Sequence, residues 1–457
     1  MFLKPVKSEG LAHISYILGD GASAAVIDPR RDVHIYLEIA ARRGTRITHI
    51  FETHRNEDYV IGSVDLAEHT GAEIHHGGAL DFQYGSVVSE GDVFDFGDIR
   101  LRVLETPGHT FESISLVMTD TNFGDDPVGV FTGDALFIGD VGRTDFFPDR
   151  AREVAGMLYD SIFEKLLPLG DQTILYPAHG AGSVCGESMA SREFSTLGLE
   201  RKNNPVLQKT GREEFIDYKV NEKHYQPPYF RQMEKYNLEG APPLAELPRP
   251  VPLTPDDVDE ATERGAVLVD LRSPEAFAGA FIPDSLAIPL EMVPAYAGYL
   301  LDCEQELMLI PETREQVRTA VRYLIRMGYD RIPGYLEGGV HAWEVSGRRY
   351  DRIDTLHAKD LERRLEEDSA SFTLLDVRKV TEYEEGHLEG STHIFLGNLQ
   401  DRIEEIPPEK PVVTFCGSGE RAVIAASILK KHGFRHVEDN LGSMAACANI
   451  GCTIQKG

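Results

Sequence analysis

The chain has 457 residues, of which 42% are hydrophobic and 26% are charged, a composition that is ordinary for a soluble globular protein. At roughly 150 residues per domain, this length predicts two to four domains. Lys and Arg total 46 against 75 Asp and Glu, a net charge of −29, which disfavours nucleic-acid binders because an acidic surface repels a polyanion.

Three sequence features indicate the cellular compartment. The five cysteines are few and odd in number, unlike a disulfide framework. The first ten residues contain no apolar stretch of the kind that a secretory signal needs, and no later run approaches the roughly eighteen apolar residues of a membrane span. We therefore expect a cytoplasmic protein in a reducing environment, without membrane association.

The first domain boundary is a proline-rich segment. Residues 241–250 contain four prolines, which disfavour a helix and are typical of a semi-rigid connector. The preceding residues, 1–240, alternate short β-like runs such as Leu101–Leu104 with Gly-rich turns and a few helical stretches. This pattern predicts a layered domain of helices and strands.

An internal repeat follows the connector. The segment Leu268–Phe277 returns 106 residues later as Leu374–Tyr383, and in each copy a polar turn, an apolar run and a helix follow. Strands that alternate with helices over about a hundred residues predict a small α/β module with a parallel sheet. We therefore expect three domains, at 1–240, 251–350 and 355–457.

Four polar motifs in the first domain each place a His or Asp just beyond a short apolar run: Thr53–Tyr59, Thr106–Thr110, Thr132–Asp134 and Tyr176–Gly180. At such positions, side chains from adjacent strands can converge. Imidazole and carboxylate groups are ligands for borderline metals. The alternative is that these are ordinary surface or core histidines, but four in this order, each beside a Gly or Pro turn, favour a metal site.

The order of the four motifs resembles the metallo-β-lactamase superfamily over about residues 1–235, and this resemblance implies an αββα sandwich. The family's first motif is His-x-His-x-Asp-His, followed by a His, an Asp and a late His in Gly turns. Here Asn56 and Tyr59 stand where the second and fourth ligands of the first motif usually are. The departure disfavours a binuclear zinc hydrolase of the glyoxalase II type.

The remaining ligands are His54, His109 and Asp134. Two His and one carboxylate form the facial triad of non-heme Fe(II) oxygenases, and the persulfide dioxygenase branch of the superfamily is similar, which implies one Fe(II) per chain, with zinc as the alternative. Residues 142–146, Gly-Arg-Thr-Asp-Phe, also look like this branch, and residues 182–205 look like the bacterial dioxygenase–rhodanese fusions.

Asp58 and His179 are candidates for support of the metal ligands or for remnants of a second metal site. Asn56 and Tyr59 could donate hydrogen bonds to a bound persulfide or oxygen, or could fill the space of lost ligands.

Arg143 and Cys185 are weaker candidates for the substrate site. Arg143 pairs in our interpretation with Asp145 as a structural ion pair rather than as a catalytic group. Cys185 is either a buried small apolar residue or a thiol near the substrate.

The second repeat carries a cysteine, Cys416, at the end of an apolar strand and at the start of a Gly-rich loop that leads into a helix. Successive backbone N–H groups in such a loop stabilise a sulfur anion, and Arg421 adds positive charge. The segment resembles a rhodanese over residues 355–457, which implies that Cys416 is the sulfur-carrying nucleophile. The persulfide loop would then be Gly417, Ser418, Gly419 and Glu420.

The first repeat has the same frame without the thiol. Aligned on Gly328 and Gly433, Pro311 takes the place of Cys416, and proline has neither a thiol nor a backbone N–H. This module resembles a rhodanese-homology domain with a packing or dimerisation role. Cys303 is too early to be its nucleophile, and Cys447 and Cys452 are interpreted as bystanders or, alternatively, as resolving thiols.

These resemblances imply a sulfur-detoxification enzyme. We expect it to oxidise a low-molecular-weight persulfide, carried by glutathione, coenzyme A or a similar thiol, with O2 at Fe(II) to give sulfite. Cys416 would pass sulfane sulfur to sulfite to give thiosulfate, and the chain would assemble as a dimer or tetramer. The alternatives are a zinc-dependent hydroxyacylglutathione hydrolase, a sulfurtransferase with an inactive metallo-β-lactamase scaffold, and a sulfur carrier or sensor.

Overall fold

The computed structural model describes residues 1–183, 189–244 and 246–456, so the candidate Cys185 lies outside the described residues. The chain divides into two compact units, Met1–Leu247 with Ile325–Gly328, and Pro248–Leu324 with Tyr329–Gly457. Within the described ranges, no helix is both long enough and apolar enough to cross a membrane.

The first unit contains two six-stranded sheets. The strands of the first sheet, in spatial order, are β1 Phe2–Ser8, β2 His13–Asp20, β3 Ser23–Ile27, β4 Arg46–Phe51, β5 Glu73–His76 and β6 Ser86–Val87. The second sheet runs in the reverse spatial order, from β12 to β7, and its strands are β7 Val93–Phe96, β8 Ile99–Glu105, β9 Ile114–Asp120, β10 Pro127–Gly133, β11 Ile174–Pro177 and β12 Ser195–Thr196. In β8, Ile99, Leu101 and Val103 are buried and Arg100 and Arg102 between them are more exposed, as the two-residue period of a half-buried strand requires.

Helices cover the outer faces of both sheets. They are α1 His34–Arg43, α2 Ser63–Thr70, α3 Ala151–Asp160, α4 Leu197–Asn203, α5 Arg212–Val220 and α6 Phe230–Glu239. Phe51 and Leu101 belong to a core shared by the two sheets, Tyr36 of α1 packs with the first sheet, and Leu158 and Phe215 pack with the second. The order helix, sheet, sheet, helix confirms the expected αββα sandwich.

The second unit contains two five-stranded sheets with the same strand order, β13-β17-β16-β14-β15 and β18-β23-β22-β19-β21. Their strands are β13 Val251–Leu253, β14 Val267–Asp270, β15 Leu286–Ala287, β16 Leu307–Ile310 and β17 Gly334–Leu336, then β18 Asp354–Thr355, β19 Thr373–Asp376, β21 Thr392–His393, β22 Val412–Phe415 and β23 Val437–Asp439. A small sheet pairs β20 His387–Leu388 with β24 Ile454–Gln455. All neighbours in the two five-stranded sheets are parallel, which confirms the expected parallel α/β modules.

The helices of the second unit also repeat. They are α7 Pro255–Glu263, α8 Pro274–Gly279, α9 Val293–Leu300, α10 Arg314–Arg326 and α11 Gly339–Val345, then α12 Ala358–Asp368, α13 Val380–Glu385, α14 Glu420–Lys431 and α15 Ser443–Ile450. The two modules pack together within the unit, where the Ala287 amide at β15 donates to the Ser427 hydroxyl of α14 at 3.1 Å.

Candidate functional site

The four motifs of the first unit all follow strand ends. The loop with His54 follows β4, His109 lies in the turn between β8 and β9, Asp134 follows β10, and His179 follows β11. Gly133 makes the approach of Asp134 possible, because its φ of 52° is left-handed and a Cβ there would lie 2.5 Å from the Thr53 hydroxyl. The sandwich thus brings residues from both sheets to one site.

His54, His109 and Asp134 are all buried, and their ligand atoms lie within 4.8 Å of one another. The His54 Nε2 and His109 Nε2 atoms lie 3.7 and 3.6 Å from Asp134 Oδ2. None of these three atoms has a hydrogen-bond partner among the described residues. Because unpartnered buried polar atoms are costly, three that converge fit a divalent metal ion.

The other ring nitrogens of the two histidines are held by acceptors. The Thr53 hydroxyl donates to Asp28 at 2.8 Å, so its oxygen accepts from His54 Nδ1 at 2.9 Å. His109 Nδ1 donates to the Arg143 carbonyl at 3.0 Å. Both rings therefore carry the N–H at Nδ1 and present the Nε2 lone pair to the metal position, as metal-binding histidines do.

The charges of the three groups differ. Burial lowers the pKa of His54 to about 3, so this imidazole is neutral. Burial would raise the pKa of Asp134, but the His179 imidazole, which is hydrogen-bonded to it, holds this pKa below its usual range, so the carboxylate is ionised. Burial would lower the pKa of His109, but the nearby carboxylates of Glu57 and Asp134 raise it.

His179 lies between two carboxylates rather than beside the three ligand atoms. Its Nδ1 lies 2.7 Å from Asp134 Oδ1 and its Nε2 lies 3.0 Å from Asp58 Oδ2. Burial would lower the pKa of His179, but these two carboxylates raise it well above its usual value. The two carboxylates therefore favour a protonated ring at His179, whereas a second metal would need Asp58 and His179 as free ligands.

Asn56 and Tyr59 are fully buried in the same loop. The Asn56 amide donates to the His54 carbonyl at 3.1 Å, so this side chain stabilises its own loop. The Tyr59 ring packs against His13, with 4.0 Å between ring centroids, and its hydroxyl has no partner among the described residues. Tyr59 therefore fills space beside His179 and also presents a polar group there.

Sequence reasoning missed Glu57 and His13. Glu57 is buried, and its Oε2 lies 3.5 Å from His109 Nε2. Its position between Asn56 and Asp58 in the first motif was the available signal. His13 is buried on β2, and Ser8 holds its Nδ1 at 3.0 Å; no motif marks it, because only the fold brings β2 to this site.

Arg143 forms the ion pair that the sequence suggested. Its guanidinium donates to both oxygens of Asp145, at 2.7 and 2.6 Å, and it stacks over Phe146 with 4.8 Å to the ring centroid. Arg143 thus fixes the segment whose carbonyl orients His109.

A cavity of about 490 Å³ adjoins this site. His13 and His179 line it, together with Tyr16, Ile138 and Tyr176. The cavity therefore reaches the side of the site that holds the Asp58–His179 ion pair.

The candidate sulfur site of the second unit lies at the end of β22. Cys416 is fully buried, and its Sγ accepts a hydrogen bond from the Gly419 amide at 3.1 Å. Gly419 has a φ of 117° and precedes the first residue of α14, a conformation that favours glycine. The Ser418 hydroxyl hydrogen-bonds the Glu420 carboxylate, which links the loop to the first residue of α14.

Arg421 lies in the first turn of α14 beside this loop. It donates to both oxygens of Glu382, at 2.6 and 2.7 Å, so part of its charge is balanced there. A Cβ at Gly417 would lie 2.8 Å from Arg421 Nη2, so the guanidinium passes close to the backbone of the loop.

Cys303 and Cys447 lie outside the Cys416 loop. Burial raises the pKa of Cys303 to about 11. Burial and a hydrogen bond to Cys452 raise the pKa of Cys447. Neither thiol is therefore ionised near neutral pH.

Comparison with known proteins divides the chain in the same way. Rhodanese-like domains match residues 254–346 and 357–449. A persulfide dioxygenase of Bos taurus is 32% identical over 201 residues, which cover 42% of this chain and 70% of that protein. A crystal structure of a metallo-β-lactamase from Staphylococcus aureus has a TM-score of 0.66 and 33% identity, over 74% of this chain and 98% of that one.

The chain belongs to the metallo-β-lactamase–rhodanese fusion family. A hydroxyacylglutathione hydrolase of Rhizobium etli is also 32% identical over 212 residues, which cover 40% of this chain and 77% of that protein. Because the identities are equal, the residues at the metal position must distinguish the two activities. The candidate ligands there are His54, His109 and Asp134, with Tyr59 where the hydrolase pattern has a histidine.

Proposed function

We propose that this fusion oxidises the terminal sulfur of a low-molecular-weight thiol persulfide with O2 to sulfite, at one Fe(II) held by His54, His109 and Asp134. The observation that carries the proposal is the convergence of three unpartnered ligand atoms beside the ion pair of His179 with Asp58. Two His and one carboxylate are the ligands of mononuclear Fe(II) oxygenases.

The reaction balances as RSSH + O2 + H2O giving RSH, sulfite and two protons. Fe(II), when bound, supplies the electrons that activate O2 toward sulfur. The chain's own residues hold the geometry: Thr53 and the Arg143 carbonyl fix the two imidazoles, and His179 holds Asp134. Glu57 and the Tyr59 hydroxyl are buried polar groups that can donate or accept protons near the substrate.

The rhodanese half uses Cys416 as the sulfur carrier. Its thiol takes sulfane sulfur from a second persulfide and releases the carrier thiol. Sulfite then attacks the outer sulfur, the S–S bond breaks, and the electron pair returns to Cys416 Sγ with thiosulfate as product. The Gly419 amide, which donates to this sulfur, stabilises the anion.

The first experiment measures O2 uptake by the Fe(II)-loaded chain with glutathione persulfide, together with metal content. We expect one iron per chain and sulfite or thiosulfate as product. Loss of a residue that only supports a metal ligand typically lowers metal affinity or activity 10–100-fold. Loss of a ligand itself, in His109→Ala, should therefore reduce O2 uptake by more than ~100-fold. His69→Ala, an exposed histidine on α2, is the matched control and should retain full activity.

The zinc-dependent thioesterase is the second candidate, favoured by the hydrolase relative at equal identity. Two bound zinc ions, thioester hydrolysis and no O2 uptake would replace the dioxygenase proposal. Activity and metal content that are unchanged in His109→Ala would instead assign the first unit to a scaffold.

A second experiment separates the two halves. Cys416→Ser should lower thiosulfate formation by more than ~1000-fold, because the nucleophile is lost, while O2 uptake with sulfite as product remains. Cys303→Ser should leave both reactions unchanged. A persistent Cys416 persulfide that sulfite does not discharge would indicate a carrier or sensor instead.

A further inference from the structure

A tyrosine of the cysteine-free module lies at the sulfur site of the other module. Tyr296 is on α9 and is 7% exposed, and its hydroxyl is hydrogen-bonded to the guanidinium of Arg421. Three residues later, the Tyr299 ring packs edge-on against Phe395 of the second module, with 5.4 Å between ring centroids. The α9 helix is thus anchored on the module that carries Cys416.

In this hydrogen bond the O–H of Tyr296 is not used as a donor. A guanidinium has donors only, so the phenolic oxygen of Tyr296 accepts and its hydrogen is left for a further acceptor. Burial raises the pKa of Tyr296 to about 12 against the opposing effect of Arg421, and the charge of Cys416 also raises it. The phenol is therefore protonated at neutral pH and lies within electrostatic reach of the sulfur.

The positive charge beside the Cys416 loop is partly balanced. Glu382 occupies two N–H groups of Arg421, so the guanidinium presents less net positive charge than an unpaired arginine would. A carboxylate so close also repels an incoming anion. A neutral O–H that binds Arg421 on one side can offer an oxyanion a hydrogen bond without further charge.

We propose that Tyr296 completes the acceptor site at Cys416, where it donates its O–H to an oxygen of a bound sulfur oxyanion such as sulfite and holds Arg421 in place. The proposal rests on the sulfur transfer proposed above. It gives the cysteine-free module a role in recognition of the acceptor, since this module supplies one donor of the site.

The test compares Tyr296→Phe with Tyr299→Phe in the full chain. The first readout is thiosulfate formation, with KM for sulfite and kcat measured separately. The second is the rate of Cys416 alkylation, located by mass spectrometry, with anionic iodoacetate and with neutral iodoacetamide. The ratio of the two alkylation rates reports recognition of an anion and does not require sulfur transfer.

We expect Tyr296→Phe to raise the KM for sulfite by ~10-fold, the usual effect of one hydrogen bond to a charged group, with a smaller change in kcat. The iodoacetate to iodoacetamide ratio should fall several-fold. Tyr299→Phe should change neither value. The role of Tyr296 would be overturned if both alkylation rates fell equally in Tyr296→Phe. It would also be overturned if the KM for sulfite and the iodoacetate to iodoacetamide ratio were unchanged. A wild-type chain without transfer activity would remove the proposed function, while the alkylation ratio would still decide the role of Tyr296.

Discussion

The two modules of the second unit share a frame and differ at one loop. Both sheets have the same strand order. In each module an arginine forms an ion pair with the aspartate two residues before it, Arg272 with Asp270 at 2.7 Å and Arg378 with Asp376 at 2.6 Å. We call this ion pair the clamp. The loop before α10 has three residues and begins with Pro311, whereas the loop before α14 has four and begins with Cys416.

The shared ion pair contributes to the stability of both modules, whereas the loop that differs bears on the proposed chemistry of one. The clamp is buried in both modules and also reaches a backbone carbonyl, of Ala280 in one and Gly386 in the other, each at 2.8 Å. It ties the strand to the turn after the next helix whether or not a thiol is present. The proposed chemistry depends instead on the Cys416 loop and on Arg421 and Tyr296 beside it.

The largest effect that we expect comes from breaking the clamp in either module. Asp270→Asn and Asp376→Asn each leave a buried guanidinium without its charge partner, which typically costs 3–5 kcal/mol. We therefore expect each variant to lower the free energy of unfolding of the second unit by about 3 kcal/mol, as measured by denaturant unfolding.

The control for the clamp is an exposed ion pair. Asp360 lies 2.9 Å from Arg363, with both side chains largely exposed, and such pairs contribute about 1 kcal/mol or less. Asp360→Asn should therefore have little effect. A loss below about 1 kcal/mol in one clamp variant but not the other would show that the two frames are not equivalent.

A smaller effect, the pH dependence of the free energy of unfolding, should distinguish the two modules. Asp439 of β23 pairs with Thr414 of β22 as Tyr335 of β17 pairs with Leu309 of β16, so it occupies the position of Tyr335. Burial raises the pKa of Asp439 to about 7, with a further increase from Glu275. An unfolded Asp ionises near pH 4, so the folded state holds an extra proton between about pH 4 and 7. The free energy of unfolding therefore falls as pH rises through this window.

Asp439→Asn should remove this slope and increase the free energy of unfolding at pH 8 by about 2 kcal/mol relative to wild type. Unfolding curves at pH 5 and pH 8 measure it. The exposed Asp354 of β18 provides the control, since Asp354→Asn should leave the slope unchanged. Equal slopes in wild type and Asp439→Asn would mean that this carboxyl is ionised in the folded state.

The sequence predicted the candidate ligands but not all of their surroundings. His54, His109 and Asp134 follow strand ends and carry local motifs, so their convergence could be expected, as could the two parallel modules from the repeat. Glu57 and His13 were missed, and Tyr296 was missed because it lies 120 residues before Cys416 in a module without a thiol. Packing between modules has no local signature, so only the structure relates such residues.

The smallest effect that we expect comes from a thiol introduced into the cysteine-free module, which should not restore thiosulfate formation. Pro311→Cys in the Cys416→Ser background supplies the sulfur atom at the aligned position, but Arg314 stands where the other module has Gly419, whose amide donates to sulfur. Arg314 is exposed and pairs with Glu337. Thiosulfate formation should therefore stay below ~1/1000 of wild type, the level expected without an activated nucleophile, even where iodoacetamide labels the introduced thiol. Activity above about one-tenth of wild type would show instead that the thiol suffices and that the four-residue loop is not required.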